Sequence, residues 1–141
     1  MNVATEPSMI SAVAEVAFKA GRELRDWFTR RRAQAKALEE NELNAVRALN
    51  QAVMSTTNYI GRLEAGKRPV RKHEEELSKL WSDAALAFYV VNREISPLLH
   101  LKALSWSRPA KWIEEEVVKS GISLDEMNKL LMDLLGPARK R

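Results

Sequence analysis

Cysteine is missing from all 141 residues of the chain. Its absence excludes a disulfide framework, a thiol nucleophile and thiolate metal sites together, and it leads us to expect a reducing, cytoplasmic setting. Histidine is nearly as scarce: His73 and His100 are the only two, and they stand far apart in sequence. The carboxylates beside His73 are Glu74, Glu75 and Glu76, a consecutive run whose members diverge around a helix, so no metal centre is expected. The chain also lacks a Glu-x-x-His pair of the di-iron kind, a glycine-rich phosphate loop and a serine set at a nucleophile elbow. We expect no metal and no cofactor. Long apolar runs are missing too, since Glu15 and Lys19 interrupt the stretch from Met9 to Ala20, well short of the ~20 residues that span a bilayer. Strand signals are essentially missing, since the run from Ala84 to Val91, apolar enough for a buried strand, continues the helical period of Leu77 and Leu80 and reads as helix; solenoid-length repeats and low-complexity tracts are absent from the sequence.

What is present is helical periodicity. Ile10, Val13, Ala17, Ala20, Leu24 and Trp27 recur at three- and four-residue steps, which places them on one stripe of a helix. A second stripe runs through Leu38, Val46, Leu49, Val53, Ile60 and Leu63, and a third through Leu77, Leu80, Trp81, Ala84, Phe88 and Val91. Three such stripes are most simply buried against one another. With 45% hydrophobic and 30% charged residues, the chain has enough apolar material for one core without metal or disulfide staples. The expected fold is all-α: a bundle of three to four longer helices closed by a short C-terminal helical hairpin.

Punctuation residues divide the chain. Residues 1–7 are expected to be a flexible lead-in, with Ser8 near the first cap, residues 8–136 a single helical-bundle domain, and residues 137–141 a basic tail. Between Arg32 and Glu42 no Gly or Pro marks a break, so either the chain turns near Glu39 to Asn44 or the first two helices form one rod. Gly66 suits a left-handed helix end and Pro69 can open the next helix, which is expected to begin near Pro69 to Lys72 and whose early Glu74, Glu75 and Glu76 favour the positive end of its dipole. Ser96 and Pro97 are the expected cap and first turn of a fourth helix holding Leu98, Leu99, Leu101 and Leu104. Pro109 is expected to start a fifth helix with Trp112, Ile113 and Val117 on its apolar stripe. Ser123 and Glu126 read as the capping box of a sixth, joined by a staple between Ile122 and Met127 and stopped by Gly136 and Pro137.

The net charge of +4 matters through its distribution. Arg22, Arg25, Arg30, Arg31, Arg32 and Lys36 lie along the far half of the first helix. Arg62, Lys67, Arg68, Arg71 and Lys72 surround the second turn, and Arg139, Lys140 and Arg141 end the chain. As candidate contacts for nucleic acid or an acidic partner we single out Arg30, Arg31, Arg32, Lys67, Arg68, Arg71 and Lys72. The alternative use of each cluster is a solvated, salt-bridged surface. Arg30, Arg31 and Arg32 point in three directions round a helix, so they do not all face one ligand.

Two further constellations bear on chemistry. Arg93 and His100 flank the junction of the third and fourth helices, and this pairing resembles that of HEPN ribonucleases, helical bundles that usually work across a dimer. The resemblance implies metal-independent RNA cleavage, with His100 moving a proton and Arg93 stabilising phosphate charge. Alternatively, Arg93 is a solvated cation at a helix end and His100 sits on the rim of an apolar helix. Trp112 to Leu131 has the turn spacing of a helix-turn-helix, but Asp125, Glu126 and Asp133 on the second helix would repel phosphate. Trp106 and Trp112 among Arg108 and Lys111 suit either stacking on bases or a lid over the core.

Phe18, Phe28, Met54, Tyr59, Leu86 and Tyr89 lie off the main stripes and widen the apolar surface beyond what one neighbouring helix covers. From them we expect a non-enzymatic interaction or adaptor protein that self-associates or joins a larger assembly through a helical face. The alternative expectation is a basic RNA-binding bundle, with the HEPN-like pair as its reaction centre.

Overall fold

A computed structural model describes the backbone of residues 5–34, 36–107 and 122–136, and the side chains of these from residue 12 onward. It is all-α. Five helices are described, α1 (Thr5–Ala33), α2 (Glu40–Glu64), α3 (Arg71–Val91), α4 (Ser96–Ser107) and α5 (Leu124–Leu135), and no strand occurs among the described residues. The fifth helix expected from Pro109 onward, and with it half of the expected C-terminal hairpin, lies outside the described residues, as does the basic tail.

The first helix starts earlier than expected. α1 includes Pro7 in its first turn, where a missing N–H costs no helical hydrogen bond, so the boundary is Thr5 and not Ser8. The choice between a rod and a turn is resolved as a turn, placed between Ala33 and Glu40. Its fastening is Arg31, which is only 5% exposed. The Arg31 guanidinium donates to both oxygens of Glu42 at 3.2 and 3.1 Å, to Gln34 Oε1 at 2.6 Å and to the Ala37 carbonyl at 3.2 Å. Glu42 in turn accepts the backbone N–H of Glu39 at 2.9 Å, so one carboxylate caps α2 and anchors the end of α1.

Gly66 closes α2 as expected. At φ +93° it lets the Gly66 N–H donate to the Leu63 carbonyl and the Lys67 N–H to the Arg62 carbonyl, both at 3.0 Å, a Schellman arrangement. No atom would crowd a Cβ there, so the requirement for glycine is conformational and not spatial.

α3 packs against both α2 and α4, α1 packs against α4, and α5 packs across α1 and α2. The expected stripes supply the core: Ala17, Ala20, Leu24 and Trp27 from α1; Val46, Leu49 and Val53 from α2; Leu77, Trp81, Ala84 and Phe88 from α3. Trp81 is fully buried, and its indole N–H donates to Thr56 Oγ1 at 2.8 Å, so the largest core side chain brings no unsatisfied donor. Ala84 and Ala85 form the small-residue side of α3, and there α4 comes close enough for Ser96 Oγ to donate to the Ala85 carbonyl at 2.8 Å. This corrects the role expected of Ser96: its hydroxyl ties α4 to α3 where a cap was expected. Ser78 Oγ makes the matching bond to the Ala103 carbonyl at 2.8 Å, so α3 and α4 run antiparallel.

The cap of α5 is half as expected. Ser123 Oγ accepts the Glu126 N–H at 3.1 Å, and Ile122 and Met127 are both buried, as the staple requires. The Glu126 carboxylate, however, reaches to α1 and takes two hydrogen bonds from the Arg25 guanidinium, one of them at 3.1 Å. Asn128 Nδ2 donates to Thr57 Oγ1 at 3.2 Å, so α5 is attached to both α1 and α2 by polar bonds as well as by its apolar face.

Candidate functional site

Helix α3 presents Leu86, Tyr89 and Val90 at i, i+3 and i+4, so the three side chains share one face. Their exposures are 68%, 55% and 66%, whereas Phe88 on the same turn is fully buried. The difference follows from the neighbours. Phe88 meets Trp27 edge-on at 5.4 Å and Phe28 at 6.4 Å, while the opposite face of α3 has no helix against it among the described residues. On α1, Val16 and Phe18 are exposed as well.

Between these two surfaces lies a cleft of about 560 Å³. Its apolar lining is Val16, Ala20, Tyr89 and Pro97, contributed by α1, the end of α3 and the start of α4. Lys19, Arg22 and Arg93 supply three cations, and Glu23 and Glu94 two carboxylates. The carboxylate of Glu23 is already engaged, accepting from Asn92 Nδ2 at 2.8 Å and facing Arg30 at 3.6 Å. Asn92 caps α3 through its N–H to the Phe88 carbonyl at 2.7 Å and accepts the Glu94 N–H at 3.1 Å, which sets the turn that carries Arg93. Arg22 lies over the Phe18 ring at 5.5 Å, so the exposed aromatic surface is continuous with the cleft wall. Lys19 and Arg93 have no hydrogen bond or ion pair among the described residues. The Glu94 carboxylate has none either, so the cleft combines an apolar floor with a rim on which uncommitted cations outnumber the one uncommitted carboxylate.

The other end of α3 is finished differently. Tyr59, 5% exposed, donates its hydroxyl to Glu74 Oε2 at 2.7 Å and accepts the Val70 N–H at 2.9 Å. Its ring meets His73 and Trp106 edge-on, at 6.1 and 5.7 Å. Burial, and then the bond to Glu74, push the Tyr59 hydroxyl above its ordinary pKa of 10.0. Arg71 completes the closure, donating to Glu74 Oε1 at 3.2 Å and to the carbonyls of Trp106 and Ser107 at 3.1 and 2.6 Å. Trp106 is half-buried here and covers the bundle end, which is the lid expected of it; Trp112 lies outside the described residues.

The candidate binding residues read from the sequence therefore separate. Arg31 is a correction: it is buried and committed to Glu42, Gln34 and Ala37, with no free face for a ligand. Arg71 is exposed, with donors engaged by Glu74 and by the carbonyls of Trp106 and Ser107. Arg30 is exposed beside Glu23, and Arg32, Lys67, Arg68 and Lys72 are exposed. Arg31 is fastened to Glu42 at the start of α2, whereas Lys67 and Arg68 follow the end of that helix, so the 25 residues of α2 lie between the two clusters. Arg93 lines the cleft, whereas His100 is exposed on α4 and is not among the described residues lining it. The two do not share this cleft among the described residues. No group of three or more metal-ligating side chains occurs among the described residues, and no described helix is long and apolar enough to cross a membrane.

The sequence also concealed two arrangements. Lys102 is buried in α4 with its ammonium 5.8 Å from the Trp81 ring, a contact that apolar periodicity does not announce. Lys19 read only as an interruption of an apolar stretch, and its place in a cleft depends on α3 and α4 arriving from distant parts of the chain. No protein-family model, curated protein or solved structure matches this chain significantly.

Proposed function

We propose that this protein is a non-enzymatic helical interaction protein whose contact surface is the apolar face of α3 together with the neighbouring part of α1. One observation carries this reading: Leu86, Tyr89 and Val90 share a helical face and are each more than half exposed, while Leu77, Trp81, Ala84 and Phe88 on the α3 stripe are buried. Large apolar side chains grouped in this way lose free energy in water and gain it under a partner. Phe18 and Val16 extend the surface on α1. Light scattering up to about 100 µM, where a micromolar complex would be populated, tests self-association, with Leu86→Glu and Val90→Glu as the disrupting pair. Association that the double variant leaves untouched would refute the assigned face. A monomer at every concentration would restrict the reading to a different partner chain.

A second reading, RNA binding, draws on the exposed cluster at the α2–α3 turn. Arg62, Lys67, Arg68 and Lys72 are exposed, and their side chains make no hydrogen bond or ion pair among the described residues. Its mark would be an RNA affinity that falls steeply with salt and weakens on Arg68→Ala. Cleavage abolished by His100→Ala would be needed before any ribonuclease activity was assigned.

A further inference from the structure

We infer that the cleft between α1, the end of α3 and the start of α4 receives an acidic amphipathic helix of a partner protein. The inference rests on the interaction reading above and specifies the chemistry of the partner. Three features of the cleft select it.

The first is charge. Of the five charged lining residues, Glu23 is occupied by Asn92 and Arg30, which leaves the cations Lys19, Arg22 and Arg93 against the single carboxylate of Glu94; the side chains of Lys19, Arg93 and Glu94 have no bonded partner among the described residues and Arg22 only overlies Phe18. A ligand entering here meets net positive charge, so carboxylates gain and a basic segment is repelled. The second is the floor. Val16, Ala20, Tyr89 and Pro97 are apolar over most of their surface, so a purely acidic, fully hydrated ligand would leave this area unused. Apolar side chains at helical spacing, flanked by Glu or Asp, satisfy floor and rim together. The third is length. From Val16 to Glu23 the α1 wall extends about 10 Å at 1.5 Å per residue, room for about two turns of a partner helix lying along it. The exposed Tyr89 provides an aromatic anchor with a hydroxyl at its edge.

A peptide-display selection tests this without presupposing a sequence. Random peptides are selected against the full chain and against a Lys19→Glu/Arg93→Glu variant whose helicity is checked by circular dichroism. Both substituted side chains are exposed, so the fold is expected to persist. Peptides enriched on the native chain are expected to carry net negative charge with apolar residues at helical spacing, and to bind the variant at least about tenfold more weakly. The variant is expected to enrich basic sequences instead. Enrichment of neutral or basic peptides on the native chain, binding unaffected by the two substitutions, or no enrichment above background would each overturn the inference. So would an RNA oligonucleotide that binds in a Lys19- and Arg93-dependent way while no peptide does. Scattering of the Leu86→Glu/Val90→Glu variant, measured in parallel, separates the outcomes: association through that face without selection of acidic peptides removes this inference and leaves the proposed function standing.

Discussion

The two ends of α3 differ in what their aromatic side chains do. Near its start, Tyr59 is buried with its hydroxyl bonded to Glu74 and Val70, and Trp106 covers its ring. Near its end, Tyr89 is more than half exposed beside Leu86 and Val90, with an open cleft next to it. Both tyrosines lie off the apolar stripes, and the same residue type serves closure at one end and an open surface at the other. The N-terminal end of α3 is closed by packing and hydrogen bonds; the C-terminal end leaves apolar area exposed, and to that area the proposed association is assigned.

If that division holds, substitutions in the closed region unfold the protein and those on the open face leave stability alone. Trp81→Ala should have the largest effect, a loss of about 3–5 kcal/mol in denaturant unfolding, since it empties a fully buried site and strands Thr56. Tyr59→Phe should follow with about 1–3 kcal/mol, because the Glu74 carboxylate and the Val70 N–H each lose a partner. The same variant should flatten the alkaline limb of the stability curve. The Tyr59 pKa is raised in the fold, so its contribution is complete below pH 10.0 and is lost as pH rises through the higher folded value.

At the α1–α2 turn, burial raises the pKa of Glu42, but the Glu39 N–H and the Arg31 guanidinium outweigh it and hold the carboxyl below its ordinary 4.5. A depressed acid contributes stability above the unfolded value and loses it as pH falls through the folded one. Glu42→Gln should therefore cost about 1 kcal/mol near neutrality and reduce the loss of stability below pH 4.5, read from unfolding curves in a pH series. The smallest effect on folding is expected from Leu86→Ser, within about 0.5 kcal/mol of the native chain, accompanied by loss of association in light scattering. A strongly destabilised Leu86→Ser would contradict the division, because it would make the open face part of the fold's own support.

Much of the fold was readable from local signals. The stripes through Leu24 and Trp27, Val46 to Val53, and Leu77 to Phe88 are buried, and Gly66 closes α2 in the left-handed conformation expected of it. The candidate site was far less legible. Phe18, Phe28, Met54, Tyr59, Leu86 and Tyr89 stood out together as off-stripe apolar residues, yet Phe28 and Tyr59 are core while the other four are exposed. Arg31 read as one of three surface cations and is the buried fastener of a turn, because its partner Glu42 belongs to the next helix. Ser96 and Glu126 read as capping residues, and their side chains reach to neighbouring helices instead.

From the residues alone followed the all-α class, the faces turned inward and the helix boundaries marked by Gly66 and Ser123, for these depend on spacings of three and four and on the conformations those residues permit. Such preferences act over a few residues and need no knowledge of neighbours. Which off-stripe aromatic is covered, which arginine is spent on a carboxylate of another helix and where cations gather beside an apolar floor were decided only when the helices met. The physical reason is that burial and charge pairing act between side chains close in space, and these side chains are separated by tens of residues along the chain.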